Sequence, residues 1–453
     1  MLSGWKSSIG RIGEVSHLVC FRIFILSPYS HVLILEKPNN KPMIKKETIY
    51  LSILMLISIS GLAQEPQISS VFPAWEEGYL DIHHINTGKG ESTFFILPDG
   101  TTLLVDAGAT QRPKPRVTDP KPNDSLTPGE WIARYIKHVM QGLPGENIDY
   151  ALLSHFHYDH IGELYPEVKS SKNGTYKLAG ISEVAEHVSI NKLVDRDWPS
   201  YDYPKPATVD YMKNYIQFVN TSVDKRGMTA EQFKVGVSDQ FALINEPEKY
   251  PNFEIRNIAA NGQVWTGTGT NKRNHFPPME SIDESDYPDE NLCSTAFRLS
   301  YGAFDYYSGG DLLARKLGHW KDIETPVGLA TGPVDVCLAN HHAYYDAMSE
   351  SFLQAVRPRV HIIHAWAPSH PSPSVLRRMS STAIYPGPRD IFSTNIMDAT
   401  RVVIGAGLDE LKSQQGHIVV RVNPGGESYL IYILDDSEES FKITSIHGPY
   451  FSN

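Results

Sequence analysis

The chain has 453 residues, of which 41% are hydrophobic and 10% aromatic, enough apolar material for packed cores and too much for an intrinsically disordered protein. Its formal net charge of −11 at pH 7 repels polyanions on average, which excludes broad coating of nucleic acid while leaving room for a local basic groove. Three cysteines, Cys20, Cys293 and Cys337, exclude a disulfide framework.

Residues 43–66 read MIKKETIYLSILMLISISGLAQEP and have the parts of a secretory signal. Lys45 and Lys46 precede an uncharged apolar stretch from Ile49 to Ile59, and Gly61 and Ala63 supply the small-residue end. The signal starts at Met43, so residues 1–42 read as an over-extended start, 43–63 as the leader that is removed, and 64–453 as the mature chain. The apolar stretch is short for a bilayer span, so no retained span is expected, and the protein is expected to be exported to a periplasmic or extracellular location. No cysteine follows the cleavage region, which argues against a lipid anchor. Seven of the 41 basic and three of the 52 acidic residues lie in 1–63, leaving the mature chain at −15.

Beyond the leader, YLDIHHIN (79–86) alternates like a half-buried strand and GKGE (88–91) makes a tight turn. TFFIL and TTLLVDAG, joined by Pro-Asp-Gly, predict a hairpin whose second strand ends at Asp106. TPGEWIARYIKHVMQG predicts a helix capped by Thr127, with Pro128 in its first turn, Glu130 completing a capping box and Gly142 ending it. Its apolar face, Trp131, Ile132, Tyr135, Ile136 and Val139, is suited to packing on a sheet. IDYALLSH is a short apolar strand that ends at His155, and a strand–helix–strand crossover brings it to the same edge as Asp106.

Residues 163–290 form a long polar stretch, read as an insertion with its own structure near the site. Helices are expected near 206–220 and 229–245, and a strand at FEIRNIAA. TAFRLSYGAFDYYSGGD (295–311) predicts a hairpin turning at Gly302. A buried strand at 335–339 precedes His341 and His342, SESFLQAVRP is a helix stopped by Pro358, and RVHIIHAW is a strand with His364 at its end. SHPSPSVLRRM opens a further helix, and HIVVRV, SYLIYIL and FKITSI complete the sheet material.

The chemistry concentrates in LLSHFHYDHIGEL (152–164), where His155, His157, Asp159 and His160 occupy six positions behind an apolar strand. Residues two apart on an extended chain point to one side, so His155 and His157 can hold one cation. Asp159 and His160, further round the turn, can begin a second site about 3.5–4 Å away. Imidazole and carboxylate without thiolate suit a borderline cation such as zinc in a site that leaves room for water.

These stretches resemble the metallo-β-lactamase-fold hydrolases, and among them the ComEC-type competence domains. The resemblance is carried by INTGKGESTFFILPDGTTLLVDAG, SHFHYDHIGEL, NLCSTAFRLSYGAFDYYSGGDL and LANHHAYYDAMSESFLQAVRPRVHIIHAWAPSHPS, in the family's order, and covers nearly all of 79–390. It implies a four-layer αββα sandwich with a large insertion at about 163–290. It implies that His155 and His157 hold one metal, Asp159 and His160 the second, that Asp311 bridges both, and that one of His341 and His342 completes the second site. Asp106 would orient a ligand histidine, since a metal-bound imidazole needs an acceptor for its other N–H.

Many relatives place a further histidine in the loop before the strand that leads to the bridging aspartate. Here that loop reads DYPDENLCS, with Asp289, Glu290, Asn291, Cys293 or a water as the available substitutes. The family's His-His-Gly-Ser is HHAY here and its Gln-Gly-Asp turn is KGE, changes that bear on the substrate. Asp159, Asp311 and His370 are expected to act on the reaction, His370 by facing substrate or donating a proton. His83, His84, His361 and His364 read as structural; Asp346 reads as a polar loop residue in preference to an acceptor behind a ligand histidine, and Tyr344 and Tyr345 as packing aromatics in preference to pocket lining.

The expected activity is zinc-dependent hydrolysis by a hydroxide shared between two ions, with a phosphodiester favoured over a small ester, lactone or lactam. The expected partner is a small-molecule or nucleotide-type substrate. The rival expectation is a non-catalytic binding module on the same fold.

Overall fold

The computed structural model describes residues 66–110 and 116–453, so the expected leader at 1–63 lies outside the described residues. From the N-terminal side, β1 (Leu80–His84), β2 (Thr93–Ile96), β3 (Thr102–Val105), β4 (Ile148–Leu152), β5 (Ile190–Asp195) and β6 (Thr229–Gln232) form one sheet. The chain then builds a second sheet from β7 (Phe253–Ala260), β8 (Gln263–Trp265), β9 (Lys272–Asn274), β10 (Ala296–Tyr301), β11 (Phe304–Ser308), β12 (Val336–Leu338), β13 (Val360–Ile363) and β14 (Asp390–Ser393). It returns to the first sheet with β15 (His417–Val422), β16 (Ser428–Leu434) and β17 (Ile443–Phe451). The strand orders are β17-β16-β15-β1-β2-β3-β4-β5-β6 and β14-β13-β12-β11-β10-β7-β8-β9.

Each sheet is antiparallel on one side and parallel on the other. β3 through β6 run parallel, as do β11 through β14, with crossovers that place helices on the outer faces. Period-two alternation sorts neighbouring residues to opposite faces. Phe95, Leu103, Phe297 and Tyr306 meet between the sheets. Their neighbours Phe94 and Leu104 pack outward with Ile132, Ile136 and Phe218, while Tyr307 packs outward with Val327 and Phe352. Each fully buried side chain of this kind contributes roughly 1.5–3 kcal/mol relative to exposure. The layers are helix, sheet, sheet, helix: a mixed α/β sandwich of the metallo-β-lactamase type.

The capped helix forms at Pro128–Val139, with the Thr127–Glu130 box in place. Residues 163–290 supply β5 and β6 to the first sheet and β7, β8 and β9 to the second. The expected helix at 206–220 is found at Asp210–Arg226. No helix spans 229–245: Thr229–Gln232 is an edge strand parallel to β5, followed by irregular chain. Phe233, Val235, Phe241 and Leu243 bury in the inter-sheet core as two pairs at period two, and Gly236 at φ +92° breaks any helical path between them. Strand β14 and the helix Glu324–Thr331 were not read from the sequence. Cys293 and Cys337 are both buried free thiols. Among the described residues no helix is long and apolar enough to cross a membrane.

Candidate metal centre

The C-terminal ends of β3, β4, β11, β12 and β13 carry the polar residues singled out in the sequence. After β4 the chain stays extended through Ser154 to His157, so His155 and His157 share a side, with His155 Nε2 3.1 Å from His157 Nδ1. The turn Tyr158–Ile161 then redirects Asp159 and His160. Two neighbouring turns grip this segment through its backbone: Glu91 N–H donates to Asp159 O at 2.9 Å and Ala107 N–H to His160 O at 2.8 Å. Gly108 permits the approach, because a Cβ there would lie 1.9 Å from the Asp159 carbonyl oxygen.

Asp311, three residues beyond β11, sits between two sets of imidazoles. Its Oδ1 lies 3.2 Å from His160 Nε2 and 3.5 Å from His342 Nε2. Its Oδ2 lies 3.6 Å from His155 Nε2 and 3.9 Å from His341 Nε2. Asp159 Oδ2 joins the first set, 3.2 Å from His342 Nε2 and 3.7 Å from His160 Nε2. Ligand-type atoms of Asp159, His160, Asp311 and His342 therefore cluster tightly enough to hold a cation, and those of His155, His157 and Asp311 do so separately.

Carboxylates behind the imidazoles set their tautomers. Asp106 occupies left-handed backbone at φ +58°, a region Asp tolerates, and its Oδ2 accepts from His160 Nδ1–H at 2.7 Å. It also accepts from Ser154 N–H at 2.7 Å and Ser154 Oγ–H at 2.6 Å. Glu91 Oε2 lies 3.6 Å from His342 Nδ1. Asp346 Oδ1 accepts from His341 Nδ1–H at 2.8 Å, so of its two readings the acceptor holds and the plain loop residue, favoured from the sequence, does not. His341, His342 and Ala343 all have positive φ, +48°, +52° and +59°, each costing about 1–2 kcal/mol for a residue with a side chain. Buried Glu324 fixes this strained turn, its Oε1 accepting from Asn340 Nδ2 at 2.8 Å and Met348 N–H at 2.7 Å.

Burial alone would push Asp311 up, but the surrounding imidazoles, led by His342 and His160, hold it well below its ordinary range. Burial opposes protonation of His160, yet Asp311, Asp106 and Asp159 raise it well above an ordinary histidine. His155 lies far lower because of burial and the neighbouring charge of His160. Burial raises Glu91 to about 7. His160 Nε2 and Asp311 Oδ1 face each other at 3.2 Å yet are buried without a satisfied hydrogen bond, a state that a cation held between them would relieve. The donor set is imidazole and carboxylate only, and it fits such an ion.

Other expected residues fall at varying distance from the cluster. His370 is buried and stacks on His342 with ring centroids 4.8 Å apart. His84 and His364 pair with each other at 3.1 Å, and His83 and His361 bond Tyr135 and Tyr385. Tyr344 sits against the His341 ring, and the largely exposed Tyr345 packs edge-on against Tyr344 with ring centroids 4.6 Å apart. In the loop that lacks a histidine, Glu290 is bound by Arg196, Asp289 pairs with Arg315, and Asn291 Nδ2 lies 3.0 Å from His341 Nε2. Glu91, Glu324 and Ser294, whose Oγ accepts from Asp311 N–H at 3.2 Å, were not singled out in the sequence. Each lies far along the chain from the residue it supports, and no local pattern marks such a pairing.

Residues 86–210 match the Metallo-beta-lactamase superfamily. That span contains Asp106 and the His155–His160 segment, while Asp311, His341 and His342 lie beyond it. No curated protein matches the chain. The matched domain, together with the buried His/Asp cluster, indicates a metal-dependent hydrolase.

Proposed function

We propose that this chain is an exported, zinc-dependent hydrolase of phosphodiesters of about nucleotide size. The observation that carries the reading is Asp311, with one carboxylate oxygen facing each of two separate ligand clusters. Asp159, His160, His342 and Asp311 would hold one ion, and His155, His157 and Asp311 the other. Zinc bound there would lower the pKa of water towards neutrality and offset charge developing on a phosphoryl or carbonyl oxygen.

The protein's own part is positional. Asp106 holds a proton on His160 Nδ1, so that Nε2, beside Asp311, is the nitrogen that would bind an ion. Ser294 and the Glu324-anchored turn fix Asp311 and His342 from the second sheet, so both sheets must be assembled for the cluster to exist. Next to His157 runs a groove lined by Phe156, Tyr203, Tyr211 and Pro288, the natural seat for an apolar or planar substituent. Its Arg196 is bound by Glu290 and its Lys205 pairs with Glu284, so it offers no basic track for a long polyanion. The resemblance to ComEC-type domains supports a phosphodiester, and this groove together with the acidic chain supports a short one.

Zinc-reconstituted protein should hydrolyse bis-p-nitrophenyl phosphate faster than nitrocefin or a lactone panel. Asp311→Ala and His157→Ala should each abolish turnover while the fold persists. A positive with nitrocefin or a lactone alone would replace the phosphodiester with a lactam or ester substrate. Full activity in both variants would contradict a catalytic role for this cluster, and absence of zinc from the purified protein would favour a non-catalytic binding module.

A further inference from the structure

The two clusters are unequal. One gathers four side chains around a prospective ion, the other only His155, His157 and Asp311. The loop at 288–294 does not make up the difference, since Glu290 is engaged by Arg196 and Phe156 N–H, and Asp289 by Arg315.

His341 stands on the deficient side. Its Nε2 faces Asp311 Oδ2, the same oxygen that faces His155, whereas His342 faces Oδ1 along with His160. Consecutive left-handed residues splay the two rings to either side of the carboxylate, with centroids 6.4 Å apart. Asp346 accepts from His341 Nδ1–H and is itself held by Arg315 Nε–H at 2.9 Å, so the Nε2 lone pair points inward. Asn291 Nδ2 meets that lone pair at 3.0 Å, and Asn291 Oδ1 is buried without a partner. Asn291 thus occupies the position from which a cation would draw His341.

We propose that the tandem histidines are divided between two ions: His342 completes the site of Asp159 and His160, and His341 Nε2 completes the site of His155 and His157, replacing the histidine that the 288–294 loop lacks. Asp346 is the positioning residue for His341, as Asp106 is for His160. The inference rests on the metal-dependent reading above and adds the composition of the first site.

Zinc titration calorimetry on the intact protein tests it, with circular dichroism confirming that each variant folds. The unsubstituted chain should bind two ions. His341→Asn, chosen because Asn accepts left-handed backbone, should weaken one ion by about 100-fold and spare the other. Asp346→Asn, which retains the imidazole, should weaken the same ion by about 10-fold. In a His157→Ala background, which keeps only the second ion, adding His341→Asn should leave that ion's affinity unchanged. A loss there of about tenfold or more would assign His341 to the other site and overturn the proposal, as would two ions of unaltered affinity in both His341→Asn and Asp346→Asn. An unsubstituted chain that binds no zinc would instead remove the metal-dependent reading itself, and this proposal with it.

Discussion

At the scale of single residues, the site depends on carboxylates that hold protons in place. Asp106→Asn keeps one oxygen for Ser154 N–H but turns an amide N–H₂ towards His160 Nδ1. The imidazole must then carry its proton on Nε2, where a cation belongs. Zinc affinity should fall about 10–100-fold, read by competition with a chelating dye, with little change in the fold. Protonation has a direction of its own. In the metal-free protein Asp311, Asp106 and Asp159 raise His160 well above an ordinary histidine against its burial, which favours its charged form. Its contribution to metal-free stability is complete below the unfolded-state value and is lost as pH rises through the raised folded-state value. Zinc affinity should change in the opposite sense, rising over the same range, with about one proton released from His160 on binding. Calorimetry in buffers of different protonation enthalpy counts that proton, and a buffer-independent heat would contradict the assignment.

At the scale of elements, the centre is a set of turns pressed together by their backbones. Gly108→Ala would put a methyl group 1.9 Å from the Asp159 carbonyl, so the turn carrying Asp159 and His160 must move. Thermal melting should show a loss of about 1–3 kcal/mol or more, and zinc binding should weaken with it. Much of this level was legible in the sequence. The Thr127–Glu130 box, the hairpin at Gly302 and the strand leading into His155 all carry local signals, namely caps, turns and alternation. Thr229–Gln232 was not legible as a strand, because a four-residue edge strand is settled by pairing with β5 and by burial of Phe233 and Val235 beyond it. Strand β14 likewise owes its place to parallel pairing with β13, a contact between distant segments. In the site, His155, His157, Asp159 and His160 stood out by spacing and Asp311, His341 and His342 through the family resemblance, whereas Glu91 and Glu324 acquire their roles only where β-strand ends converge.

At the scale of the whole molecule, two half-parallel sheets pack face to face so that loops from both meet at one edge. β3 and β4 bring Asp106 and the His155–His160 segment, and β11 and β12 bring Asp311, His341 and His342. A cation held between them would tie one sheet to the other and stabilise the folded state by mass action. Free zinc at about 1,000 times its dissociation constant corresponds to about 4 kcal/mol, so chelation should lower the melting temperature by several degrees, reversibly. The central claim is that Asp311 lies between two zinc ions. Anomalous X-ray diffraction at the zinc edge, on crystals of the purified protein, tests it most directly. The account predicts two peaks flanking the Asp311 carboxylate, one against His155 and His157 and the other against Asp159, His160 and His342. No peak beside Asp311 in zinc-supplemented crystals would contradict it.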